Sequence, residues 1–452
     1  MTKSLKSLWA RFLFQDKGIL PTKRFLIVYL FISLLFMWGS ILGLSWAFII
    51  TFNLLTLCIS LLDLLFLPRK QQLTITRMLP TELERGISYS IEIEISNSSP
   101  YSLFYRLVDG LPQSFNLPFP LKGQIPKDSA QVITYHTIAK VRGNYDVKKL
   151  YFRYSSLIGL WEKQTTVDLA QFVKVIPDLT ETKQYLENAQ QFLKYEGLKI
   201  RRQRRGVGDF SKIREFVVGD DPRKINWRQT AKLQEVMTNE YEPEHGKYIT
   251  ILIDCGRMMG AELKKGNRLE KSLEAALTVT AAALKNGDYV SVLGFSKEIH
   301  VFVPPAKGMP HLQTILQAIY NLKVDASESN YGAVLRYLET VQKKRSLLLL
   351  FSDISTFLHE ESALVYLQRL RKRHLFLMIG VEDQTLLNRV QEVPDTMQHA
   401  MVKSIAQQQI LFKKREKNKW EKQGLQMIEA REEKLAVTAV SHYIEIMNQS
   451  LL

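Results

Sequence analysis

Three rhythms of apolar and polar residues follow one another along this chain, and each predicts a different kind of element. Between residues 25 and 67 the only charged residue is Asp63. As one helix this stretch would be about 65 Å long, roughly twice the hydrocarbon core of a bilayer. Two helices joined by a tight turn fit better, with Gly39, Ser40 and Gly43 supplying the turn and spans at 25–42 and 44–66. Residues 71–178 instead alternate in short period-two runs, at 73–76, 89–95, 132–135, 151–154 and 172–176. Turn formers such as Asn97-Ser98-Ser99-Pro100 separate them, which predicts an all-β, antiparallel sandwich. From residue 247 strand and helix alternate. Buried strands are expected at 248–255, 288–295, 345–351, 375–381 and 425–429, and helices at 268–284, 311–322, 331–341, 360–373, 405–423 and 433–447. That alternation predicts a parallel sheet covered on both faces, a doubly wound α/β domain. The expected plan is a basic N-terminus (1–24), a two-helix transmembrane hairpin (25–67), the β-sandwich (71–178), a linker (179–246) and the C-terminal α/β domain (247–452).

Charge gives the first rhythm an orientation. Lys and Arg number 61 against 45 Asp and Glu, a net charge of +16 over 452 residues. Such an excess suits nucleic acid or an anionic membrane surface, and the apolar N-terminal stretch favours the membrane. Lys3, Lys6, Arg11, Lys17, Lys23 and Arg24 precede the first span, while Arg69, Lys70 and Arg77 follow the second. The hairpin tip carries no charge. By the positive-inside rule both ends, and everything beyond residue 68, are expected in the cytoplasm of a multi-pass cell-membrane protein. A cleavable signal peptide would have a shorter apolar region ending at a small-residue cleavage site, and the sequence has neither. The two cysteines, Cys58 and Cys255, make no disulfide framework.

Candidate chemistry concentrates in two places. Residues 206–244 fit neither period: Phe210, Ile213, Phe216, Ile225 and a buried-looking Trp227 are scattered among charges. Within this run Asp221 reads as an N-cap and Pro222 as a first helical residue, predicting a short helix at 223–232. Gly206 and Gly208 resemble a phosphate-cradling loop, but their spacing matches no nucleotide fingerprint and no Lys-Ser or Lys-Thr follows. Glu215, Asp220 and Asp221 are the residues of a metal-dependent hydrolase reading. Against it, Arg214, Arg223, Lys224 and Arg228 are close enough in sequence to pair with them as a structural network. The run Arg201, Arg202, Arg204 and Arg205 suits acidic lipid or a partner; as a nucleic-acid site it lacks interleaved aromatics, and no nucleic acid is expected as a partner. The second place is the carboxyl ends of the predicted parallel strands, at Asp254 and Asp353, where doubly wound folds bind ligands. These strand ends resemble the von Willebrand factor A fold, in which Asp-x-Ser-x-Ser, a Thr and a further Asp hold magnesium through hard oxygens. Gly256 and Met258 stand in the two serine places, and the Thr place falls near Ser329 or Asn330. The set Asp254, Ser329 and Asp353 is thus a degenerate magnesium site, and no other cofactor is expected. Eight histidines are spread singly with no zinc spacing, and Cys255 has no histidine partner. No complete catalytic constellation emerges, so the chain is not expected to be an enzyme.

The run GVGDFSKIREFVVGDDPRKINWRQTAK resembles the signature of the bacterial domain-of-unknown-function family fifty-eight. Gly206, Gly208, Phe210, Arg214, Glu215, Gly219, Asp220, Asp221, Pro222, Arg223, Ile225, Trp227 and Ala231 match its pattern, with Phe216 in place of Tyr. Upstream, Arg142-Gly143-Asn144-Tyr145 is similar to its Arg-Gly-x-Tyr. Residues 156–161 are similar to its Asp-x-x-Gly-Leu-Phe, with Ser156 where the Asp stands. The resemblance implies an inner-membrane, cytoplasm-facing adaptor with an A-type domain. Its expected partners are a MoxR-type AAA+ ATPase and a client protein, in assembly or maturation of a complex.

Overall fold

The computed structural model describes residues 18–41, 43, 45–189, 191, 208–243 and 246–449. The chain divides into two compact units at Ile176 and Pro177.

In the first unit, the apolar stretch forms helices Lys23–Ile41 and Trp46–Leu61, the latter continued by a 3-10 segment, Leu62–Phe66. Of the three expected turn residues, Gly39 and Ser40 stay helical, and Gly43 takes a turn conformation, at φ +95°. Thr22 and Ser45 cap the two helices through their hydroxyls. Ser33 donates to Asn53 Oδ1 at 2.8 Å, and the rings of Phe36 and Phe52 lie 4.4 Å apart, so the helices touch. Among the described residues one helix, Trp46–Gln72, is long and apolar enough to cross a membrane, by length and composition.

The period-two runs become two sheets. One has the order Leu73–Met78, Ser88–Asn97, Ser129–Ile138. The other runs Ile19–Pro21, Trp161–Ile176, Gly143–Ser155, Leu103–Asp109, Leu121–Ile125, with Glu82–Glu84 also paired to Trp161–Ile176. Alternation shows why: Ile91, Ile93 and Ile95 are fully buried while Glu92 and Glu94 face out. These isoleucines share one core with Leu107, Phe152 and Val175 of the larger sheet.

Two charged residues change meaning in the structure. Arg77, expected to flank the membrane span, is buried between the sheets. Its Nη1 meets Asp109 at 2.6 Å, and Nη2 donates to the carbonyls of Val147 (2.9 Å) and Leu169. Nε donates to Gln171 at 2.9 Å, and Tyr135 donates to the second Asp109 oxygen at 2.7 Å. A charge following an apolar run reads as a flank when its partner, 32 residues on, is unknown. Asp63 is buried as well and anchors the loop 156–161. It accepts from the Ser156 hydroxyl and from the amides of Leu160 (2.9 Å) and Trp161 (3.0 Å). Trp161 in turn donates to Ser60 at 3.2 Å and packs on Phe25, 5.1 Å between rings. Asp63→Ala strands two amides, each costing about 1–3 kcal/mol. Hydrogen exchange of Leu160 and Trp161 is expected to accelerate roughly tenfold or more, with other amides of the sheet unchanged.

The second unit holds a six-stranded sheet ordered Ile299–Ala306, Tyr289–Phe295, Tyr248–Asp254, Ser346–Phe351, Leu375–Val381, Gln426–Ala430. All neighbours are parallel except the first pair. Residues of both parities on the inner strands, such as Ile251 and Leu252 or Leu349 and Leu350, are buried, so both faces are covered. The strand Ile299–Ala306 was not anticipated. It contains Pro304 and Pro305, which an edge strand tolerates and which weaken a strand reading. The strand order reverses between Tyr248–Asp254 and Ser346–Phe351, leaving a crevice at their carboxyl ends.

Candidate functional site

Asp254 ends the central strand and is 2% exposed. One carboxylate oxygen accepts from Gly256 N at 2.8 Å and from the Ser329 hydroxyl. The other accepts from the Tyr331 hydroxyl at 2.9 Å and from Ser352. Three loops therefore converge on one acid. Burial pushes the Asp254 carboxyl above its ordinary range, against the pull of these donors, and burial followed by the Asp254 charge raises Tyr331.

Asp353, the next strand-end acid, is held by the Arg268 guanidinium. It also caps the helix Ile354–Leu358, accepting from Thr356 N at 2.9 Å and its hydroxyl at 2.8 Å. Arg268 also reaches Asp383 at 3.5 Å. Of the expected set, the structure brings Ser329 onto Asp254 and gives Asp353 to Arg268. A Cβ on Gly256 would lie 2.1 Å from Ser329 Oγ, so this arrangement has no room for the missing serine. Such a donor set does not fit magnesium: the Asp254 oxygens are taken, and an arginine already sits on Asp353. Among the described residues no group of three or more His, Cys, Asp or Glu could hold a metal ion. Sequence reasoning passed over Arg268. Its signal was a cation at the first residue of the helix Arg268–Lys285, where the helix dipole disfavours positive charge. Arg268 lines a pocket of about 510 Å³ together with Met258, His359, Asp383 and Phe412. The rings of His359 and Phe412 stack 5.2 Å apart.

The signature run forms an arm. Strands Gly208–Glu215 and Met237–Pro243 pair antiparallel, and the acid motif lies between them. Arg214 grips Asp220 with two 2.8 Å bonds, and Val217 N donates to the same carboxylate at 3.0 Å. The Arg214 bond, then the Val217 amide, hold the Asp220 carboxyl below its usual range. Gly219 supplies the turn at φ +113°. Asp221 caps as expected, accepting from Arg223 N at 3.0 Å, but the helix breaks into two. A 3-10 turn, Pro222–Lys224, is followed by Trp227–Leu233, capped anew by Asn226. The Asn226 side chain also bonds Asn239 at 2.8 Å, which fixes the break. Trp227, read as buried, is 70% exposed, and Val218 is 100% exposed. Glu215 is exposed beside the frame, and Phe210 and Gly208 open the first strand. Gly206 and the arginines 201, 202, 204 and 205 lie outside the described residues.

Residues 212–422, from this arm through the strand-end acids, match the family model described as protein of unknown function DUF58. The uncharacterized protein YeaD of Bacillus subtilis (strain 168) is 21% identical over 261 residues, 55% of this chain. The chain spans 62% of that relative's length, less than two thirds. Among solved structures, PapD-like domain 7 of human CEP192 is 14% identical over 24% of this chain and 89% of its own, with a TM-score of 0.18. WR4, a C. elegans MSP family member, is 10% identical over 22% of this chain and 97% of its own, at 0.17. Likenesses that slight carry no argument. In the DUF58 region the signature residues Arg214, Gly219, Asp220 and Asp221 make the arm's frame, and Trp227 and Val218 are what the frame leaves outside.

Proposed function

We propose that this chain is a membrane-anchored interaction protein whose signature arm docks a protein partner on the cytoplasmic side. The observation that carries the reading is Trp227, held exposed on a frame in which Arg214 grips Asp220 twice. An acid bonded twice to arginine and held below its usual range is a poor general base, whereas an exposed Trp on a rigid frame suits an interface anchor. The family resemblance suggests a MoxR-type AAA+ ATPase as the partner, with a client protein beyond it. In this reading both N-terminal helices cross the bilayer as a hairpin and both flanks are cytoplasmic. The outward apolar side chains of each helix, among them Phe31, Trp38, Ile50 and Leu54, support it. The paired sheets are then a β-sandwich, and the second unit is an A-type α/β domain working without its metal.

The full chain, solubilised in neutral detergent, is expected to co-purify with the MoxR-type ATPase of the same cell. Trp227→Ala is expected to weaken retention by roughly 30-fold, the effect of losing an interface hot spot. Its melting temperature should hold, because the removed side chain is exposed. No co-purification, with or without nucleotide, overturns the reading.

A further inference from the structure

The outer face of the larger sheet in the first unit carries an arrangement that stability alone disfavours. Lys122 and Arg153 both stand directly opposite Arg106, so three adjacent strands place three cations in one row. Like charges directly opposite weaken a sheet. Glu162 offers partial relief, 4.0 Å from Arg106 and 3.5 Å from Arg153. Instead of further carboxylates, more cations close the space. Lys23 and Arg24, at the start of the first apolar helix, form the opposite wall of a pocket of about 520 Å³. Arg24 lies beside Gly159, where a Cβ would meet its Nη1 at 3.4 Å, and Thr22, two residues earlier, donates to the Gly159 carbonyl at 2.6 Å. Five cations and one carboxylate line the pocket.

A pocket so charged selects an anion. Its arginines offer planar forks that match phosphate oxygens, and its volume suits a phosphate ester of headgroup size. Its place suits the same ligand, because one wall is the first turn of an apolar helix, the level at which a crossing helix meets headgroups. We propose that this pocket binds a phosphate-bearing anion, supplied by the headgroup of an anionic phospholipid. The lipid assignment rests on the membrane reading above; the phosphate chemistry does not.

The test uses the full chain in nanodiscs of phosphatidylcholine alone and of phosphatidylcholine with phosphatidylglycerol at 7:3. Wild type is expected to melt several degrees higher in the anionic discs. The variant Arg106→Gln/Arg153→Gln should lose that shift, read against its own melting in phosphatidylcholine because Glu162 loses both partners. A control of equal charge, Lys127→Gln/Lys140→Gln, should keep the shift; if it loses it too, general attraction explains the effect and the site is overturned. A parallel arm titrates pyrophosphate into protein in neutral detergent. Binding abolished by the double variant, with no lipid shift, keeps the phosphate chemistry and overturns the lipid as its source. No response in either arm overturns the site. Release of the chain from native membranes by alkaline carbonate would overturn the anchor instead, and the pyrophosphate arm would still read the pocket.

Discussion

Asp109→Ala is expected to destabilise the first unit by about 3–5 kcal/mol, the largest effect of any single substitution proposed for this chain. The reason lies in what remains. Arg77 and Asp109 side chains are both 0% exposed, so removing the acid leaves a guanidinium buried without its counter-charge. Tyr135 also loses its acceptor, whose charge, after burial, holds that phenol well above its usual range. The carbonyls of Val147 and Leu169 and the Gln171 side chain still bind Arg77, but none carries a charge. Because Arg77 belongs to one sheet and Asp109 to the other, the damage falls on the packing of sheet on sheet. Scanning calorimetry of the solubilised chain should show a lower transition for the first unit and an unmoved one for the second. The double variant Arg77→Met/Asp109→Leu should recover most of the loss, since apolar replacement of a buried pair is often neutral. A loss under 1 kcal/mol for Asp109→Ala would mean that the pair is not what joins the sheets.

The second large effect is expected at Asp254. Replacing it by alanine strands the Gly256 amide and three hydroxyls that now converge there. A buried network broken in this way costs about 3 kcal/mol, a fall of roughly 6–12 °C in the melting of the second unit. Asp254→Asn keeps an acceptor and should cost less. The two variants also separate by pH. Burial raises the Asp254 carboxyl in the fold, so the native state holds its proton more tightly than the unfolded chain does. Its contribution is full below the ordinary carboxylate value of 3.8 and declines as pH rises through the raised native value. Asparagine should remove that decline, flattening stability against pH on the acid side of neutrality. Magnesium at 10 mM is expected to leave the wild-type transition where it is; a rise of several degrees would show that the acids can be freed for a cation.

What was readable in the residues follows from how each element is buried. Strands covered on one side announce themselves by alternation, as Ile91 to Ile95 do. Parallel strands covered on both sides do so as apolar runs, as residues 347–351 do. The edge strand Ile299–Ala306 escaped because it is half covered and carries prolines. Long-range pairing is invisible in one dimension. Arg77 looked like a membrane flank because Asp109 lies on another strand, and Arg268 looked like an ordinary helix residue because Asp353 is 85 positions away. Trp227 was misjudged for a different reason. An aromatic among charges suggests a covered core, but here the Arg214–Asp220 pair braces the arm and the ring is left on its surface. The motif's capping residue was legible and its helix was not, because the second cap at Asn226 depends on Asn239 across the arm.

Asp63 leaves the first unit without a tether. A domain on a flexible linker samples a range of heights above a bilayer, and anything it recruits is held only as closely as the linker's reach dictates. Here the end of the second helix is bonded straight into the loop that joins two strands of the larger sheet, through Ser156, Leu160 and Trp161. For a helix that crosses a bilayer, tilt in the lipid becomes tilt of the sheet, and membrane thickness becomes a mechanical input to the protein.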